Sequence, residues 1–192
     1  MKAGVSTLDI ERLRAIVGSR LGLQVDESRL AALGDVLLRL VRASGAAPSA
    51  VLDRMDDGDD GAELLRAVAG QITVPETYFF RDVAQLDAFR DVALPDRVRA
   101  RARAGVRELR VLSLGCASGE EPYTLAMLLR GEGIDPSSVA VRAFDLNPAS
   151  LQRAARGRYS RWSLRETPDE LRRRWFAEEG KELVLDASIR AM

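Results

Sequence analysis

The 192-residue sequence contains no histidine. Ser-His-Asp and Cys-His catalysis are thereby excluded, as is any metal site built on imidazole. It has a single cysteine, Cys116, so no disulfide can form within the chain. One thiol and carboxylates alone would make an unusual zinc site. A lone cysteine also suits a reducing compartment. No apolar run approaches the roughly 20 residues that cross a bilayer, and the N-terminus lacks an apolar signal segment. The expectation is a soluble, cytoplasmic protein without membrane insertion. Charge of one sign is missing too: 29 basic residues balance 29 acidic ones. That argues against a general nucleic-acid or membrane-surface binder. Lysine is confined to Lys2 and Lys181, and the arginine excess reads as codon usage.

What is present falls into a helical part and an α/β part. Ser6 with Asp9 three residues on predicts a helix start. Leu13, Ile16, Val17 and Leu21 follow at helical spacing, and Gly22 suits the stop. A second helix is expected from near Asp26, with Leu30, Leu33, Leu37, Leu40 and Val41 on one face and Gly45 at its end. Pieces around Ser49–Met55 and Ala62–Ile72 complete a small bundle. Between them lies DDGDDG, Asp56 to Gly61. A calcium loop would need an acid or amide at 58 and a glutamate at 67; Gly58 and Ala67 stand there, so a solvated turn is expected.

TVPETYFFRD, Thr73 to Asp82, reads as a break at Pro75 followed by a new helix. Phe79, Phe80, Val83, Leu86 and Phe89 are assigned to its apolar face. Pro95 and Gly105 bound a short Arg-rich helix. The pattern changes at Leu109. LRVLSLG reads as a buried strand ending at Gly115, and residues 122–130 as a helix ended by Gly131 and Gly133. VAVRAFD, Val139 to Asp145, is a second strand, and Asn147 with Pro148 starts another helix that Gly157 stops. Strand, helix, strand, helix predicts a parallel βαβ unit. Thr167, Pro168 and Glu170 suggest a capping box, and KELVLDASI, Lys181 to Ile189, a further strand.

The turn after the first strand of such a sheet is where nucleotide-like ligands bind. Here it reads LSLGCASGEEPYTLAM, Leu112 to Met127. A P-loop would end in Gly-Lys-Ser/Thr, but Gly119 is followed by Glu120 and Glu121, which repel phosphates. A dinucleotide turn needs G-x-G-x-x-G; only Gly115 and Gly119 are present. A nucleophile elbow needs G-x-S-x-G, and Ser118 stands one place too late. S-adenosylmethionine remains, a nucleotide-like ligand with a cationic sulfonium, an ammonium and a ribose diol. Asp145, ending the second strand, stands where an acid accepts from ribose hydroxyls. The residues leave a second reading open: Glu120 and Glu121 favour the positive helix N-terminus, and Asp145 closes a turn. Cys116 reads as a small residue in that turn, not a nucleophile.

TVPETYFFRD, LSLGCASGEEPYTLAM and AFDLNPASLQRAARGRY, followed by DELRRRWF, resemble the CheR-type family of chemotaxis-receptor glutamate methyltransferases. Order and spacing of the blocks agree, and residues 1–70 are the least specific part. The resemblance implies an α/β protein: an all-helical N-terminal domain over residues 1–72, linker helices with the TYFFRD block over 73–108, and over 109–192 the first part of a Rossmann-like S-adenosylmethionine-dependent methyltransferase domain. Relatives continue through further strands, so a bare sheet edge and an exposed apolar face are expected. The implied reaction is methyl transfer to glutamate side chains in the cytoplasmic helical bundle of methyl-accepting chemoreceptors, with S-adenosylhomocysteine as product. The alternative is a non-catalytic module that binds cofactor or receptor. Carried over, Thr77 and Arg81 hold the methionine part and the transfer site, Glu121 contacts the ligand, and Asp145 takes the ribose. Arg81 is the candidate catalytic residue; its structural alternative is an ion pair with Asp82 or Asp87. Pro75 stands where some members have an asparagine that contacts the cofactor, so contact there falls to its carbonyl or to packing. Arg29, Arg39 and Arg42 are the only cations of the second helix, fewer than on the receptor-docking helix of some relatives.

Overall fold

The structure, a computed structural model, describes residues 4–74, 76–106 and 108–192, without the side chains of residues 58–60. The break expected at Pro75 lies outside the described residues. The chain divides into two compact units, residues 1–74 and 75–192.

The first unit is helical. Helix α1, Thr7–Leu21, starts on the capping box read from sequence: Ser6 Oγ accepts from the Asp9 N–H, and Asp9 accepts from the Ser6 N–H. Gly22 ends it at φ 67°, a left-handed conformation that glycine adopts without a Cβ clash. A 3₁₀ turn, Glu27–Arg29, leads into α2, Leu30–Ser44. Helices α3, Pro48–Asp56, and α4, Gly58–Ile72, follow. Leu13, Val17, Leu37, Leu52, Met55 and Val68 are fully buried between them. Each such side chain contributes about 1.5–3 kcal/mol by leaving water. The expected solvated turn over DDGDDG is shorter than that: Asp56 still belongs to α3 and residues 58–61 to α4. The helices cross so closely that a Cβ on Gly61 would lie 2.7 Å from the Arg54 and Met55 carbonyl oxygens.

The second unit opens with TYFFRD, which is not helical. Helix α5 begins only at Val83 and ends at Ala88, capped by Asp82, whose carboxylate accepts from the Gln85 N–H. Phe79 and Phe80 therefore lie outside the helix face assigned to them, and Val83, also assigned there, is exposed. A π turn, Phe89–Ala93, runs into α6, Leu94–Arg103. Pro95 stands in the first turn of α6 and cannot donate a backbone hydrogen bond, which suits a widened turn just before it.

Strand β1, Leu109–Leu114, helix α7, Glu120–Gly131, strand β2, Val139–Phe144, and helix α8, Pro148–Arg156, form the βαβα run. The strands are parallel, in register from Leu109↔Val139 to Leu114↔Phe144. Gly157 stops α8 at φ 61°. This is the Rossmann-like α/β arrangement, preceded by helices. One sheet face packs on α7 through Leu109 and Val139, beside buried Leu129. The other carries Leu112, Leu114 and Phe144 at 57, 72 and 55 % exposure, the bare apolar face expected of a short sheet. On the β2 edge away from β1, the Val141 N–H donates to the Met192 carbonyl at 3.0 Å.

A second sheet was not foreseen. Strand β3, Arg158–Tyr159, helix α9, Asp169–Trp175, strands β4, Phe176–Glu179, and β5, Glu182–Leu185, and a helical turn α10, Ala187–Arg190, follow in order. The three strands form an antiparallel sheet in the order β3-β5-β4. The strand expected over Lys181–Ile189 stops at Leu185, because Asp186 caps α10 by accepting from the Ser188 N–H. The capping box at Thr167 does not form: Pro168 is the N-cap of α9, and the Thr167 hydroxyl is buried without a partner among the described residues.

Candidate functional site

The site is the turn between β1 and α7, closed by the end of β2. Gly115 at φ 76° and Gly119 at φ 95° take backbone conformations that side chains rarely adopt. Gly119 is also fixed by space: a Cβ there would stand 2.8 Å from Ala154 Cβ and 2.9 Å from Tyr123 Cε2. No atom of the described residues lies within 4 Å of a Cβ built on Gly115, which is exposed. Gly115 and Cys116 both donate to the Phe144 carbonyl, at 2.8 and 3.0 Å. Tyr159 Oη donates to the Ser118 carbonyl at 2.8 Å and Tyr123 Oη to the Ala154 carbonyl at 2.9 Å. Burial raises both phenol pKa values, so both remain donors at neutral pH.

The carboxylates divide by environment. Glu120 is 2 % exposed and accepts from Ser118 Oγ at 2.8 Å. Burial raises its pKa, against the opposing hydrogen bond from Ser118. Glu121 is exposed and accepts from Ser113 Oγ at 2.6 Å. Asp145 accepts the Ala117 N–H on Oδ2 at 2.8 Å and the Asn147 N–H on Oδ1 at 2.7 Å. It thereby ties the first turn to the start of α8, and each oxygen keeps a lone pair for a hydroxyl donor. Cys116 is buried, and burial together with the Asp145 charge pushes its thiol pKa up. It is therefore held as the protonated, unreactive thiol.

Glu120 yields a prediction about pH. Its folded pKa lies above the unfolded value of about 4.3. Its protonated form favours the fold fully below that value, and this contribution is lost as pH rises through the raised folded pKa. Glu120→Gln should therefore melt at a higher temperature than the parent at pH 7. The difference should shrink to nothing near pH 4, as paired thermal melts will show.

The TYFFRD block meets α7 at Thr124. The Phe80 N–H donates to Thr124 Oγ1 at 3.2 Å, and the Phe79 N–H to the Ser163 carbonyl at 2.9 Å. Phe80 and Asp82 both stand at φ 59°, flanking Arg81 with a backbone that is rare for such residues. Arg81 is exposed and makes no ion pair among the described residues; its guanidinium donates to the Glu76 carbonyl at 2.9 Å. The ion pair weighed for it with Asp82 or Asp87 is not formed, since Asp87 pairs with Arg90 instead. Thr77 is half-buried. Glu121 and Asp145 thus share the turn. No hydrogen bond joins Thr77 or Arg81 to either among the described residues. The tyrosine clamp from Tyr159 escaped sequence reading because its partner lies 41 residues away.

The stretch from residue 75 to residue 192 matches the family described as "CheR methyltransferase, SAM binding domain". The chain belongs to this family. Its cofactor is S-adenosylmethionine, and the residues present fit that group: a glycine turn exposed at Gly115, acids in place of phosphate-binding cations, and Asp145 with acceptor capacity at the strand end. A cleft of about 220 Å³ behind the turn, walled by Cys116, Tyr123, Ala143, Leu151 and Arg190, is smaller than usual ligand pockets and touches neither Glu121 nor Asp145. The fit therefore rests on the turn. CheR relatives include "Probable biofilm formation methyltransferase WspC" of Pseudomonas putida, 37 % identical over 64 % of this chain and 28 % of the relative. "Chemotaxis protein methyltransferase 2" of Vibrio cholerae is 34 % identical over 60 % of this chain and 40 % of the relative. "Chemotaxis protein methyltransferase" of Listeria monocytogenes is 36 % identical over 62 % and 44 %. The chain thus spans less than half the length of these CheR relatives. No described helix is long and apolar enough to cross a membrane.

Proposed function

We propose that the chain takes part in S-adenosylmethionine-dependent methyl transfer to glutamate side chains, in the cytoplasmic helical bundle of methyl-accepting chemoreceptors. The observation that carries the reading is Asp145, which gathers the turn and the α8 start with one accepted hydrogen bond on each oxygen and so keeps acceptor capacity for hydroxyl donors. Asp145 would hold the ribose, Glu121 a cationic part of the ligand, and Thr77 and Arg81 the methionine part and the transfer site. The relatives' names and the family favour an enzyme over a non-catalytic receptor- or cofactor-binding module.

The chemistry suits a chain without histidine. S-adenosylmethionine, when bound, supplies an electrophilic methyl on a sulfonium. A glutamate carboxylate, with a reference pKa of about 4.3, is already ionised near neutral pH and needs no general base. The protein's work is alignment at roughly 3 Å approach. Arg81, with no carboxylate partner of its own among the described residues, offers a forked donor to the substrate carboxylate or to the cofactor's.

The test is transfer of labelled methyl to a receptor cytoplasmic fragment. Arg81→Ala should lower transfer by about 100-fold or more; S-adenosylhomocysteine binding that stays at the parental level would place Arg81 on the substrate carboxylate, and weakened binding would place it on the methionine part. Unchanged transfer would remove Arg81 from the chemistry.

A further inference from the structure

At the TYFFRD block lies a cluster of two arginines and two aromatic rings. The Arg165 guanidinium lies over two rings, 3.7 Å from the Tyr78 centroid and 4.5 Å from that of Trp162. Its Nη1 donates to the Trp162 carbonyl at 2.9 Å. Trp162 is 73 % exposed, although a large indole normally seeks cover. Arg81 approaches the same Tyr78 ring at 5.9 Å. Neither arginine has a carboxylate partner among the described residues, whereas neighbouring Arg161 is paired with Glu178 at 3.0 Å.

The cluster is built on fixed points. Trp162 belongs to a 3₁₀ turn, Arg161–Leu164, whose Leu164 is buried and whose Ser160 accepts from the Ser163 N–H. The Ser163 carbonyl in turn receives the Phe79 N–H. Rings this close hold the guanidinium and strip water from it, leaving its remaining donors for a forked acceptor. Two cations sharing one ring repel each other, and an incoming carboxylate relieves both.

We propose that Tyr78, Arg165 and Trp162, with Arg81, form a docking platform for an acidic protein substrate. Arg165 takes a carboxylate near the one that is modified, and Trp162 covers apolar surface beside it. An exposed tryptophan next to an arginine is the composition of an interface anchor. This inference rests on the reading of the substrate as a glutamate-bearing protein.

The test is the affinity of the chain for a chemoreceptor cytoplasmic fragment, by titration. Arg165→Ala and Trp162→Ala should each weaken binding by about tenfold. Arg165→Lys should not restore it, because an ammonium lacks the planar fork. S-adenosylhomocysteine binding and the melting temperature should stay near those of the parent. Parental affinity in the alanine variants, full rescue by lysine, or no binding by the parent would each overturn the platform. Binding of the fragment without binding of S-adenosylhomocysteine would keep the platform and defeat the cofactor reading instead.

Discussion

Phe79→Ala should destabilise the second unit by about 3–5 kcal/mol, the usual range for removing a fully buried phenylalanine. Phe79 has no solvent exposure. Its ring meets Tyr159 edge-on at 4.7 Å and Phe176 at 5.1 Å. These partners begin the β3 and β4 strands' packing, so the cavity opens where the antiparallel sheet meets the TYFFRD block. Tyr159 also closes the glycine turn through Ser118. Chemical denaturation should show a lowered midpoint for the transition of residues 75–192. A midpoint within error of the parent would mean that Phe79 does not anchor the block.

Asp145→Ala should weaken S-adenosylhomocysteine binding by roughly 10- to 100-fold, the effect of losing hydrogen bonds to a charged acceptor. The substitution has a double action. It removes the acceptor for the ribose, and it releases the Ala117 and Asn147 N–H groups that shape the turn. Ala117 stands at φ 46°, unfavourable for alanine, so the turn depends on such anchors to keep that conformation. Asp145→Asn should fall between parent and alanine, because its side-chain oxygen accepts but carries no charge. Equal affinity in all three proteins would place the ligand elsewhere.

Local signals explain what could be read in advance. The Ser6–Asp9 box, the glycine stops at Gly22, Gly45 and Gly157, and the Asn147 cap each act within a few residues. The βαβ run was legible because its strands are apolar and its helix ends are marked. The antiparallel sheet was not. β3 is two residues long and β4 reads FAEE, with no apolar alternation, and Tyr159 pairs with Leu183, far along the chain. The phenylalanines of TYFFRD fitted a helical face by spacing. Burial against Tyr159 and Phe176 holds them in a turn instead, with Phe80 left-handed. At Thr167 the capping signal lost to Pro168, which took the cap position itself.

The candidate site shows the same division. Glu120 and Glu121 are adjacent in sequence, and only the family resemblance singled out Glu121 for the ligand. In the structure Glu120 is buried and Glu121 exposed. Arg165 gave no signal, because its partner Tyr78 comes from a segment more than 80 residues earlier.

The central claim is that the Gly115–Gly119 turn with Asp145 binds S-adenosylmethionine and its product. Calorimetric titration of the chain with S-adenosylhomocysteine tests it most directly. The account predicts saturable heat at one ligand per chain, strongly reduced in Asp145→Ala. Absence of heat with the parent chain, or an identical isotherm for Asp145→Ala, would contradict it.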